Sequence, residues 1–331
     1  MKRPLLVLAA LVLATATQAQ VAPEPPTPAS IVAAAPTADW RAIDPADLMV
    51  MTLAPGRDGN PREVVIQLVP PPFSQGWVGN IRTLARAHWW DGTTVYRVVD
   101  NWVAQWGDGE DDEVKAKPLP GLSVVPETEY VAAIDVEGPG KVSAAVRAEV
   151  TRMSAAFKRW RVGDEAMPRT GSYAALETFV LGWPIASDGT SAWPTHCYAS
   201  VGVARDLSPD TGTGAELYAV IGHAPRQLDR NIAVVGRVIE GIEHLATLPR
   251  GTDEAGVYDD PALRVPIVSV RLGDELPPAE QPRFEYLGSD TESFAEYVRV
   301  RANRDDAFYR VPAGGVDVCN VQVPIRRAAT P

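Results

Sequence analysis

The sequence predicts a mainly β fold, on three observations. Leu48–Leu53 and Glu63–Leu68 read as strands, and Thr94, Tyr96 and Val98 alternate with Val95, Arg97 and Val99 at the two-residue period of a strand. Gly56-Arg57-Asp58-Gly59-Asn60-Pro61 and Asp91-Gly92 place turn formers beside those runs, and Asp-Gly tolerates the positive φ of a tight turn. Thirty prolines and 26 glycines suit a loop-rich sheet protein better than a helical bundle. At 331 residues, 46% of them hydrophobic, the chain has material for a sizeable core and for one or two domains. A net charge of −11 argues against a nucleic-acid backbone as partner.

Lys2 and Arg3 precede the apolar run Leu5–Leu13 and a small-residue stretch ending at Ala19, the pattern of an export signal over 1–19. The run is too short for a stable membrane anchor, so the mature chain is expected to be periplasmic or secreted, without a membrane span. Residues 20–37, rich in Pro and Ala, read as a disordered tether, with order starting near Trp40. Residues 48–53 and 63–68 form a hairpin in this reading. Ser74 is positioned to cap a helix from Gln75 to His88, whose Val78, Ile81, Leu84 and Ala85 share one face. Val142–Trp160 carries Val146, Val150, Met153 and Phe157 at helical spacing, and Leu263–Leu272 reads as a late strand. In the tail, Tyr297–Arg301 and Val316–Val323 alternate and predict a β-hairpin.

The acidic stretch Asp108–Glu113 does not form a calcium loop. Counted from Asp108, the sixth position is Glu113 rather than Gly and the twelfth is Leu119 rather than Glu. No metal or cofactor is expected. Cys197 and Cys319 are the only cysteines. An oxidising compartment permits one disulfide between them; two separate buried thiols is the alternative. A catalytic thiol is disfavoured, because His196 would point to the other face of a strand from Cys197.

The stretch Asp91-Gly92-Thr93-Thr94-Val95-Tyr96-Arg97-Val98-Val99-Asp100-Asn101-Trp102-Val103-Ala104-Gln105-Trp106-Gly107-Asp108 resembles the cyclophilin-type peptidyl-prolyl isomerases, whose pattern here is D-G-T-x-F-H-R-[IV]-[IV]-x-x-F-[MV]-x-Q-G-G-D. The resemblance resumes at Tyr198–Arg205, at Gly214-Ala215-Glu216-Leu217-Tyr218, at Leu228-Asp229 and at Ala233–Gly241. It implies a closed eight-stranded antiparallel β-barrel with two capping helices, in a domain over 38–276 with an inserted loop–helix region at about 109–195. A C-terminal β extension over 277–331 follows, lying outside the resemblance.

The resemblance also implies isomerisation of X-Pro bonds, with proline-containing peptides or unfolded exported proteins as partners and a role in their folding. Arg97 is then the catalytic hydrogen-bond donor. Trp102, Val103, Tyr218 and Leu228 line the proline pocket, Gln105 orients Arg97 or binds the peptide backbone, and Ala204, Arg205 and Gln227 flank the groove. Several positions depart from the family pattern: Tyr96 for histidine, Trp106 for the first glycine of Gly-Gly, Glu216 for glutamine, Gln227 for a frequent tryptophan and Ile232 for a frequent pocket histidine. A Glu216–Arg97 ion pair would hold the donor away from substrate; a partly solvated glutamate is the alternative. The competing functional readings are a cyclophilin-fold peptide-binding module or holdase with weak or no isomerase activity, and a structural role in the cell envelope. A hydrolase is disfavoured, since neither Gly-x-Ser-x-Gly nor His-Glu-x-x-His occurs. The oligomeric state is not read from the sequence.

Overall fold

The computed structural model describes residues 25–328 except 57, 111, 113 and 134–171. The expected export signal at 1–19 and the expected helix at 142–160 lie outside the described residues. Helix α1 (Pro28–Ala34) and strand β1 (Trp40–Ala42) precede the hairpin of β2 (Leu48–Leu53) and β3 (Arg62–Leu68). Helix α2 (Gln75–Arg86) leads to β4 (Thr94–Val98) and β5 (Val103–Gly107). The insertion contributes β6 (Ala132–Ala133), β7 (Leu176–Val180), β8 (Trp183–Ser187) and β9 (Ser191–Pro194). Then come β10 (Ser200–Val203), β11 (Leu217–Val220), β12 (Val234–Glu240), the one-turn helix α3 (Glu243–Ala246) and β13 (Val265–Leu272). Strand β14 (Phe284–Leu287), helix α4 (Glu292–Ala302) and β15 (Ile325–Arg327) complete the described chain.

Eight strands close into an antiparallel barrel in the order β10-β11-β5-β4-β13-β2-β3-β12. Closure pairs every strand edge, so the barrel offers no open ladder to other chains. Inward-facing residues alternate as the two-residue period requires: Met49, Met51 and Leu53 from β2, Val64, Ile66 and Leu68 from β3, Leu217 and Ala219 from β11 all belong to one buried core. Helix α2 closes one end by burying Trp77, Val78, Ile81, Leu84 and Ala85 against that core. Leu245 of α3 joins the same core. Ser74 stands at the N-cap of α2 but makes no capping bond, because its backbone is left-handed (φ 53°). The side-chain Nε2 of neighbouring Gln75 donates to the carbonyls of Val69 (3.2 Å) and Phe73 (2.7 Å).

Outside the barrel, three expectations change. The insertion, expected as loop and helix, contains a four-stranded sheet in the order β6-β9-β8-β7. Its β7–β8 hairpin turns on Leu181 and Gly182, both at positive φ, a type I′ geometry that Leu-Gly disguises in sequence. A side chain at Gly182 would collide with the Tyr286 ring. Within the tether expected over 20–37, Pro28–Ala34 form α1, capped by Thr27 and Ser30 and carrying Pro28 in its first turn. The expected tail hairpin is also overturned. Residues 297–301 belong to α4, whose N-cap Thr291 accepts from the Phe294 amide at 3.2 Å, and the tail strands are β14 and β15, with β14 paired between β1 and β15. Five alternating residues fit either period; Phe294, Tyr297 and Val298, spaced three and four apart and all buried, select the helix.

These segments share a second core. Trp40, Phe179, Leu287, Phe294, Tyr297, Val298, Val318 and Val321 pack together, with Ile31 and Val32 of α1 against them. Arg237 of β12 joins barrel to insertion: it donates to Gln67 Oε1 (2.9 and 2.7 Å) and to the Gly182 carbonyl (2.7 Å), and its guanidinium lies 4.3 Å from the Trp183 ring centroid.

Cys197, next to β10, is bonded to Cys319 of the tail across 122 residues of sequence. A crosslink over so long a loop mainly restricts the unfolded chain. Cys319→Ser is therefore expected to lower unfolding stability by about 2–4 kcal/mol. Urea unfolding of the variant and of wild type, with and without reductant, measures this. Coincident midpoints would show that the tail docks without help from the bridge.

Candidate active site

The outer faces of β5 and β11 form the floor of the site. Paired as Gln105↔Tyr218 and Val103↔Val220, they send Val103, Tyr218 and Val220 away from the barrel core into a separate buried apolar cluster. Val99, Trp102, Ala204, Leu228 and Ile232 pack against it as partly buried neighbours. The expected pocket residues Trp102, Val103, Tyr218 and Leu228 are thus brought together, with Ala204 beside them. Gly202 of β10 makes room for this floor, since a Cβ there would strike the Tyr218 phenol.

Arg97 stands beside this cluster through a feature the alternation did not predict. The β4–β5 register shifts between Val95↔Trp106 and Arg97↔Gln105, so Tyr96 is the extra residue of a β-bulge. In a regular strand Tyr96 and Arg97 would point to opposite faces. The bulge instead lets Val95 and Val98 both enter the core while Tyr96 and Arg97 both reach Gln105. Arg97 Nη1 donates to Gln105 Oε1 at 2.8 Å, and Gln105 Nε2 donates to the Tyr96 hydroxyl. Arg97 Nε donates to the Ala255 carbonyl at 2.6 Å, and the guanidinium carbon lies 5.5 Å from the Trp102 ring centroid. Three contacts fix the head group, and among the described residues Nη2 has no hydrogen-bond partner.

Glu216 does not pair with Arg97; it is half-buried, with its carboxylate turned to the chain's own backbone. Its Oε1 accepts from the amides of Asp108 (2.8 Å) and Gly109 (3.4 Å), holding the turn after β5. The carboxylate lies so close to Gly107 (φ 152°) that a Cβ there would overlap it. Burial pushes the Glu216 pKa up, against the lowering by Tyr96 and the two amides. Burial, with Glu216 beside it, likewise raises the Tyr96 phenol. An acid whose pKa is raised on folding contributes stability below its unfolded pKa and loses it as pH rises through the folded value. Glu216→Gln should therefore be more stable than wild type at neutral pH, with the advantage shrinking on acidification. Thermal midpoints of both proteins across that range measure it; a less stable variant at neutral pH would mean that the charge-assisted bonds to the amides outweigh burial.

Arg205 and Gln227 are not brought into the apolar cluster. Arg205 is tied to the carbonyls of Asn231 (2.9 Å) and Asp206 (2.6 Å). Gln227 is exposed on the turn preceding Leu228, where its carbonyl accepts from Asn231 Nδ2 at 3.1 Å. Trp106, in place of the family glycine, is fully buried in the barrel core.

Behind Tyr218 runs a buried polar chain that sequence reasoning missed. The Tyr218 hydroxyl is 3.0 Å from His196 Nε2, and His196 Nδ1 is 2.9 Å from Asp229 Oδ1. Arg226 donates to Asp229 Oδ2 (2.7 Å) and to Glu177 Oε1 (2.8 Å). All four charged or titratable partners have side chains no more than 6% exposed. Burial raises Glu177; burial also opposes ionisation of Asp229, but His196 and Arg226 outweigh it and hold that carboxyl below the usual range. Of the five, only Tyr218 and Asp229 fall within the recognised motifs.

Among the described residues, no three His, Cys, Asp or Glu side chains are grouped to hold a metal ion, and no helix is long and apolar enough to cross a membrane.

A barrel of this topology, with a fixed guanidinium beside an outward-facing apolar cluster that contains Trp102 and Tyr218, defines a cyclophilin-like isomerase. The family model for cyclophilin type peptidyl-prolyl cis-trans isomerase/CLD matches residues 76–272, more than half of the chain. The chain belongs to the cyclophilin-type peptidyl-prolyl cis-trans isomerases. Its structure is similar to the crystal structure of the cyclophilin AquaCyp293 from Hirschia baltica, with a TM-score of 0.57 at 20% identity over 91% of this chain and 97% of that one. Two crystal structures of a Cryptosporidium parvum cyclophilin-type isomerase, one determined with the dipeptide Ala-Pro, align with TM-scores of 0.35 and 0.34 at 13% identity. They cover 68% of this chain and 96% and 97% of their own. A comparison with curated protein sequences gives no match.

Proposed function

We propose that the chain isomerises X-Pro bonds of exported polypeptides during their folding, with Arg97 as the catalytic donor. A prolyl bond rotates slowly because amide resonance imposes a barrier of about 18–20 kcal/mol. No acid, base or cofactor is required to lower it. The proline ring must be held while the bond twists, and the prolyl nitrogen, pyramidal in the twisted state, then accepts a hydrogen bond. A donor fixed before the reaction stabilises that state without reorganising. The observation that carries this reading is the Arg97 guanidinium, held by Gln105, Ala255 and Trp102 beside the apolar cluster of Val103 and Tyr218. Trp102 and Leu228 are the walls for the proline ring, and Ala204 flanks the peptide.

Export is supported by the basic and apolar pattern over 1–19 and by the Cys197–Cys319 bridge, which suits an oxidising compartment. The test is a protease-coupled assay on an X-Pro peptide, run alongside suppression of aggregation of an unfolded client. Acceleration of isomerisation supports the proposal. Aggregation suppression without acceleration would make the chain a peptide-binding holdase.

A further inference from the structure

Resting on that isomerase reading, we propose that His196 is a positioning residue that braces the proline pocket by holding Tyr218 and, through Asp229, the wall formed by Leu228. Tyr218 comes from β11, whereas Leu228 closes the turn Arg226–Leu228, with Asp229 directly after it. Nothing in the strand ladder connects these two walls. The imidazole does so, with Nε2 at 3.0 Å from the Tyr218 hydroxyl, Nδ1 at 2.9 Å from Asp229 Oδ1, and its ring within 15° of parallel to the Tyr218 ring.

The donors along the chain follow from its far end. Asp229 accepts from Arg226 on Oδ2 and from the His196 backbone amide on Oδ1, so it acts as a carboxylate acceptor. The proton between Asp229 and the ring then sits on Nδ1. In the Nδ1–H tautomer Nε2 is the acceptor, and the Tyr218 hydroxyl donates to it. That bond turns the hydroxyl away from the pocket and presents the apolar ring face to the proline. Arg226 continues the brace to Glu177 on β7, so the inserted sheet anchors the pocket wall from behind. His196 itself is held from its C-terminal side, because Cys197 is bonded to Cys319. The brace touches neither the prolyl amide nor Arg97, so its loss should loosen substrate binding more than it slows the bond rotation.

The experiment is steady-state kinetics of His196→Asn in wild-type and Tyr218→Phe backgrounds on one X-Pro peptide. Asparagine places an amide donor where Nδ1 stood, keeping the Asp229 bond, and removes only the arm to Tyr218. The expected result is a KM raised roughly two- to tenfold with a smaller change in kcat, the loss of one net hydrogen bond. In the Tyr218→Phe background, where that bond is already absent, His196→Asn should add little. An unchanged KM, or the same rise in both backgrounds, would overturn the proposal. Should His196→Asn fail to fold, nitrogen NMR of histidine-labelled wild type decides. An Nδ1–H tautomer whose ring signals move on saturation with the peptide supports the brace; an Nε2–H tautomer, or signals indifferent to bound peptide, overturns it. The isomerase reading fails separately, by wild type showing no acceleration in the same assay, and the tautomer still reports on the brace in that case.

Discussion

Arg97→Ala is expected to remove most isomerase activity while leaving the fold intact. The side chain is half-buried at the pocket edge and packs in none of the apolar cores, so truncation opens no cavity in the barrel. A hydrogen bond from a charged donor is worth about 1.5–3 kcal/mol, which in a transition state corresponds to roughly ten- to over one hundredfold in kcat/KM. The bond to the prolyl nitrogen forms only as the amide twists, so the loss should fall on kcat rather than KM. Gln105→Leu is the partner experiment. It keeps the guanidinium but removes its 2.8 Å anchor, and should produce a smaller fall in kcat of the same sign. Wild-type kcat/KM in a folded Arg97→Ala protein would show that the donor lies elsewhere.

How much of this was legible before the structure depended on how local each feature is. Arg97, Trp102, Val103 and Gln105 sit within nine residues on two paired strands and the turn between them, and their motif spacing brings them together once the pairing is known. Tyr218 and Leu228 come from a second recognisable block, so their convergence with the first was also legible. The bulge at Tyr96 was not: strict alternation sends Tyr96 and Arg97 apart, and only the shift in pairing partners brings both to Gln105. Glu216 stands at the expected groove position, yet its carboxylate turns to the Asp108 and Gly109 amides, a choice made by backbone geometry rather than by residue type. The chain from Glu177 to Tyr218 draws on residues 177, 196, 218, 226 and 229 from four separate segments, and no spacing rule assembles them. In the tail, five alternating residues looked like a strand; burial of Phe294, Tyr297 and Val298 on one side made them a helix.

That same chain contains the largest expected effect on stability. Arg226 is 2% exposed and faces two buried carboxylates, Asp229 at 2.7 Å and Glu177 at 2.8 Å. Arg226→Met preserves much of the apolar stem but takes the guanidinium from both anions: it strands Glu177 in a buried site, while Asp229 keeps its bonds from the His196 amide and ring. Removing one partner of a buried ion pair costs about 3–5 kcal/mol, chiefly because the remaining charge is left uncompensated. Adding Glu177→Gln to that variant should restore part of the loss, since the stranded Glu177 charge is then gone. The pH dependence has a definite sign. Without Arg226 the Glu177 carboxyl, already raised by burial, ionises less readily when folded than when unfolded, so stability is retained below its unfolded pKa and lost as pH rises through the folded value. The deficit of Arg226→Met should therefore be largest near neutrality and shrink in acid. Urea unfolding of wild type, Arg226→Met and the double variant at both pH values reads all three expectations. A single variant as stable as wild type near neutrality would mean that Asp229 and Glu177 are not held as buried anions, and the brace behind Tyr218 would then lack its charged anchor.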